Sequence, residues 1–180
     1  MKPTFLVLAW TGCLPLGAAP PNVALSCEGR FQILQIRGEH PKEWLRFERP
    51  ESSDVPLQAF PWPGLYFLSP DGRWLCRMQK VGSGDAIAML YQIESNGRVS
   101  EVLGFDAQLW KEWDAATRVK HLALFHTGIA SISWSTPTQL LHLTLSGKDP
   151  ATDAPIMELP IEYDLESHQV HSRTVTSDSP

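Results

Sequence analysis

The chain has 180 residues with 15 Lys+Arg against 20 Asp+Glu, a formal charge of −5. That length gives room for one domain, and the 43% hydrophobic fraction is enough to build one core. Fifteen prolines speak against a helical bundle, because proline breaks helix interiors and punctuates short elements. An acidic balance without a Lys/Arg run argues against a protein that holds nucleic acid electrostatically.

Residues 1–19 read as a signal peptide. Lys2 supplies a positive start, Phe5-Leu6-Val7-Leu8 opens an apolar stretch reaching Leu16, and Gly17, Ala18 and Ala19 are small. The stretch is too short, and too interrupted by Pro15, to span a bilayer. A second route makes Gly12-Cys13 the end of a bacterial lipobox, with Cys13 lipidated as a membrane anchor; a third keeps the segment as an uncleaved first strand. Removing the leader deletes Lys2 alone and leaves a charge of 14 − 20 = −6. The expected location is secreted or periplasmic. In such a compartment Cys27 and Cys76 are candidates for one disulfide, whose loop of about 50 residues would contribute roughly 3–4 kcal/mol. The alternative is two separate buried thiols.

Residues 20–173 form one β-rich domain on this reading. In chain order, strand-like runs fall at Phe31–Ile36, Trp74–Met78, Ala86–Ile93, Ile129–Trp134 and Leu140–Leu145. In the last, Leu141, Leu143 and Leu145 share one face and His142 and Thr144 the other. Turn signals separate them: Ser69-Pro70-Asp71-Gly72, Gly82-Ser83-Gly84-Asp85, Ser95-Asn96-Gly97 and Ser146-Gly147-Lys148-Asp149-Pro150. The pattern predicts an antiparallel meander. One segment departs from it: Asp106 is placed to N-cap a helix over Ala107–Val119, with Leu109, Trp110, Trp113 and Ala116 on one face and an Asp114–Arg118 pair on the other. Such a helix would cover an open sheet edge. Residues 174–180 read as a frayed tail.

The meander also repeats. Leu25-Ser26-Cys27-Glu28-Gly29-Arg30-Phe31 aligns with Leu68-Ser69-Pro70-Asp71-Gly72-Arg73-Trp74, and Trp134-Ser135-Thr136-Pro137-Thr138-Gln139-Leu140 is a degenerate third copy. Leu90–Val99 likewise resembles Glu162–Val170. A period in the forties suits a sheet of about four strands per repeat. The Ser69-Pro70-Asp71-Gly72-Arg73-Trp74-Leu75 hairpin resembles the repeats of WD40-like β-propellers of the TolB type. That resemblance covers about a fifth of the chain and implies a small or incomplete propeller; a sandwich or barrel is the alternative.

Little of the sequence carries chemistry. There is no Gly-x-Ser-x-Gly elbow, and Ser83 fits a hairpin turn. His121 and His126, or His168 and His171, would face opposite ways on a strand, so no metal and no cofactor is expected. Glu94, Glu101, Glu158 and Glu162 fit solvated strand faces. The segment with a binding character is Phe60-Pro61-Trp62-Pro63-Gly64-Leu65-Tyr66, where prolines stiffen the backbone and Phe60, Trp62 and Tyr66 offer contact area. The same aromatics would equally plug one end of the core. The expected function is an exported, non-catalytic binding or accessory protein with a protein partner, including inhibitor or immunity-like roles. The alternative is a small exported hydrolase whose acidic or Ser/His residues converge only in three dimensions.

Overall fold

A computed structural model describes residues 21–39, 41–49 and 53–173. The leader, Cys13 and the tail at 174–180 lie outside the described residues. The fold is all-β with one short helix. Three separate four-stranded antiparallel sheets follow one another along the chain, and they do not close into a barrel. The first holds β1 (Asn22–Cys27), β2 (Phe31–Ile36), β3 (Lys42–Phe47) and β4 (Val55–Pro56). The second holds β5 (Leu65–Leu68), β6 (Trp74–Lys80), β7 (Ala86–Ile93) and β8 (Val99–Glu101). After α1 (Phe105–Ala116) and a single 3-10 turn, the third holds β9 (Phe125–Trp134), β10 (Leu140–Lys148), β11 (Pro155–Asp164) and β12 (Gln169–Ser172). Each sheet is a simple meander.

The internal repeat is the repeat of these sheets. All three copies of the first motif fall on the opening hairpin of a sheet, β1–β2, β5–β6 and β9–β10. The second motif falls on the closing hairpins β7–β8 and β11–β12. The serine has a common task in two copies. Ser69 Oγ accepts the Trp74 N–H at 2.9 Å, and Ser135 Oγ accepts the Leu140 N–H at 2.9 Å, each closing a turn onto the residue five positions on. Gly29 and Gly72 both take positive φ, +70° and +66°. At Gly72 a Cβ would also run into the Arg30 guanidinium, which donates to the Asp71 carbonyl at 2.8 Å and so ties the first hairpin to the second.

The second sheet lies between the other two, with both faces buried. Leu75, Met89, Tyr91 and Ile93 join Phe31, Ile33 and Leu45 of the first sheet in one core. Trp74, Cys76, Ala88 and Leu90 join Leu141, Leu143, Leu145, Ile161 and Tyr163 of the third sheet, with Phe105, Leu109 and Trp113 of α1, in another. This is why β7 reads as a nearly continuous apolar run rather than an alternating one, and why residues on both faces of β6 are buried. In β10 the expected alternation holds, with Leu141, Leu143 and Leu145 buried.

The same parity overturns the expected disulfide. Cys76 faces the core shared with the third sheet, whereas Cys27 packs on the core shared with the first. The second sheet therefore stands between the two sulfurs, and both are free thiols. Burial pushes the Cys76 thiol up to about 12, which removes its nucleophilic thiolate at neutral pH.

The helix begins and ends earlier than its sequence pattern suggests. Gly104, at φ +71°, occupies the N-cap position, Phe105 replaces Ala116 as the outermost buried contact, and Thr117 is already extended. Arg118 therefore lies beyond the helix and the expected pair does not form. Asp114 instead takes the His121 N–H at 2.7 Å and lies 2.8 Å from His121 Nδ1. Asp106 is freed from capping for another task. Its Oδ1 accepts the Ala88 N–H at 2.8 Å, at the point on β7 where β8 has ended. Glu112 Oε1 similarly accepts the Ser172 N–H of edge strand β12 at 3.0 Å. The helix thus covers two sheet edges with carboxylates that satisfy outward backbone donors.

Burial raises the Asp106 carboxyl above its usual range, outweighing the opposing Ala88 hydrogen bond. A raised folded-state value means the native state binds the proton more tightly. Its stabilising contribution is therefore full below about pH 4 and is lost as pH rises through the folded value. Asp106→Asn keeps the acceptor without the charge. Urea unfolding across pH 3–7 should show the wild type losing ground steadily to Asp106→Asn as pH rises; parallel curves would contradict the assignment.

Candidate functional site

The segment between β4 and β5 is fixed from below by a buried ion pair. Arg77, on β6, and Glu43, on β3, have side chains 0% and 4% exposed and are joined through Arg77 Nη2 and Glu43 Oε2. An isolated buried pair repays its desolvation only when the remaining polar atoms are also satisfied, and in this pair Arg77 Nε is the exception, buried without a hydrogen-bond partner. Here Glu43 Oε1 accepts the Gly64 N–H at 2.9 Å and a Gln35 Nε2 hydrogen at 2.6 Å. Gln35 Nε2 also donates to the Gly64 carbonyl at 3.1 Å, and Arg77 Nη1 donates to the Gln58 carbonyl at 2.8 Å. Gln79 Nε2 donates to the Trp62 carbonyl at 2.8 Å. Four polar side chains from the first and second sheets therefore hold residues 58–64 in one conformation. Gly64 is needed by this packing, since a Cβ there would come within 2.5 Å of Arg77 Nε.

The three aromatics singled out in the sequence divide around this lock. Phe60 and Tyr66 turn inward, with ring centroids 5.0 and 5.7 Å from the Arg77 guanidinium carbon. Burial carries the Tyr66 phenol far above its ordinary range, so it stays neutral. Trp62 turns outward and remains 39% exposed, with the Lys80 ammonium 5.2 Å from its ring centroid. Trp62, Pro63, Leu65, Met78, Lys80 and Ala86 border a groove of about 510 Å³, continued by Ser83, Gly84 and Asp85 of the β6–β7 turn. Leu65 is 58% exposed at its rim. The far wall is held by Asp85 Oδ1, which accepts the Thr127 N–H at 2.9 Å and so ties the turn to β9.

The histidine pairs are not brought together. His121 bonds Asp114, His126 lies 3.6 Å from Asp153, and His168 Nδ1 is 2.8 Å from the Tyr163 hydroxyl. Among the described residues no group of three His, Cys, Asp or Glu is poised to hold a metal ion. One juxtaposition escaped the sequence reading. On the outer face of the third sheet Ser133, His142, Glu162 and His171 are directly opposite one another across four strands. Glu162 Oε1 is 3.2 Å from His142 Nδ1 and 3.1 Å from Arg173 Nε.

Sequence reasoning also missed Glu43, Gln35, Arg77 and Gln79. The signal was present: Arg77 and Glu43 each sit at an inward-facing strand position among apolar neighbours, where only a paired charge is tolerated. Comparison with known proteins adds no further constraint: no family model, no curated protein and no solved structure matches the chain.

Proposed function

We propose that this is an exported, non-catalytic binding or accessory protein that engages another protein of the envelope or extracellular space through the Trp62 groove. One observation carries the reading. A loop locked by a buried ion pair leaves a tryptophan and a leucine facing solvent beside a groove. Ordering a large apolar group before association removes an entropic cost of binding, which favours a recognition role over a purely structural one. Tryptophan is also the residue type most enriched among energetic hot spots. Export rests on the apolar segment that ends near Ala19; inhibitor and immunity-like roles both fit this description.

The test is a pull-down of the purified protein from its native extracellular or envelope fraction, with Trp62→Ala alongside. The expected result is one stoichiometric partner, absent from the variant, while the unfolding midpoint moves little. Retention of the partner by Trp62→Ala would remove the groove from the account.

A second reading, a small hydrolase, is favoured by the Ser133–His142–Glu162 row. Its residue types are those of a nucleophile, base and carboxylate set, although Glu162 stands 3.2 Å from His142 Nδ1 without hydrogen-bonding it. The row stands on a polar sheet face, and Arg173 competes for the same Glu162 oxygen, so binding remains the preferred reading. Ester hydrolysis abolished by Ser133→Ala would reverse that preference.

A further inference from the structure

Lys80 gives the groove a charge preference. Its ammonium stands over one face of Trp62, and among the described residues no carboxylate lies within ion-pair distance of it. The one acid in the groove lining, Asp85, is turned to another task, with Oδ1 receiving both the N–H and the hydroxyl of Thr127, and it makes no ion pair with Lys80. Leu65, Met78, Ala86 and Pro63 give the groove apolar walls, and Ser83 and Gly84 of the turn complete its lining. A wholly apolar partner segment would strip water from Lys80 and return no counter-charge, which is unfavourable. A sugar ring would need a free aromatic face, and the cation occupies one face of this one.

Resting on the binding function proposed above, we infer that the partner presents a bulky apolar side chain with an acidic side chain beside it, and that Lys80 is the specificity-determining residue that reads the acid. The apolar group packs on Trp62 and Leu65 while the carboxylate replaces water on the ammonium. The complementarity is local. The protein is acidic as a whole, with a formal charge of −5, so the groove's cation discriminates among partners that the bulk field repels.

A displayed library of random linear peptides, selected against immobilised wild-type, Lys80→Glu, Lys80→Met and Trp62→Ala proteins, tests this directly. Wild-type selections should enrich a bulky apolar residue with Asp or Glu within two positions. Lys80→Glu should weaken those peptides by roughly tenfold and enrich Lys or Arg in the acid's place. Lys80→Met, which keeps the aliphatic stem on the ring, should retain the apolar anchor, lose the acid preference and weaken binding by about three- to fivefold. The wild-type interaction should also weaken as salt is raised, and the Lys80→Met interaction should not. Lys80 is exposed, so equal unfolding midpoints for both variants are expected. Trp62-dependent peptides with no charge preference, or with one unchanged in Lys80→Glu, would overturn the inference and leave the groove as a binding site. Peptides indifferent to Trp62→Ala, or no enrichment at all, would overturn both.

Discussion

Arg77→Met should lower the stability of the protein by about 3–5 kcal/mol, because it leaves the Glu43 carboxylate buried without its counter-charge. The loss is measured from urea unfolding midpoints. Replacing both partners, Arg77→Met with Glu43→Leu, should recover part of it, since two apolar side chains of similar volume leave no buried charge uncompensated. The double variant would still lack the hydrogen bonds to Gln58, Gly64 and Gln35. It should therefore be more stable than Arg77→Met alone but short of the wild type, and bind the partner less well, because the loop carrying Trp62 is no longer fixed. A double variant as unstable as Arg77→Met alone would show that the cost arises from packing rather than from an uncompensated charge.

A comparable loss is expected from Trp113→Ala, about 3–5 kcal/mol, because this side chain is fully buried where α1 meets the second and third sheets. Its indole N–H also donates to the Val119 carbonyl at 2.8 Å, holding the chain as it leaves the helix. The consequence extends beyond stability. Loosening α1 uncovers the β7 and β12 edges that Asp106 and Glu112 satisfy, and unpaired edges template association between chains. Thermal unfolding with light scattering should show a lower midpoint and aggregation onset at lower temperature. Leu103→Ala, at an 82% exposed position next to the helix, should change neither.

Strands β2, β6, β7, β9 and β10, the three repeated hairpins and the single helix were legible in the sequence because local chemistry dictates them, whereas short or polar strands such as β1, β3 and β4 were not. Ser69 and Ser135 close turns through their own neighbours, Gly72 supplies a positive φ, and β10 alternates against one core. What was hidden depends on which sheet each strand face meets. Cys27 and Cys76 looked like partners in spacing, yet they stand on opposite sides of the second sheet. Asp106 had the composition of a cap, but Gly104 took that position because the chain enters the helix through a left-handed residue. The aromatic loop was identified as a unit, and only the position of Arg77 decides that Phe60 and Tyr66 turn in while Trp62 turns out. Lys80 was invisible as a recognition residue, because its neighbour Trp62 is distant in sequence and near only through β6 and the locked loop.

The most direct measurement of the central claim is site-specific photo-crosslinking in the native fraction. A photoreactive amino acid at Leu65, on the rim of the groove, is compared with one at Leu103, which is more exposed but is not among the residues bordering the groove. The account predicts one crosslinked protein of defined mass from position 65, lost when Trp62→Ala is added, and none from position 103. A specific adduct from position 103 with nothing from position 65 would contradict it and place the interacting surface near α1.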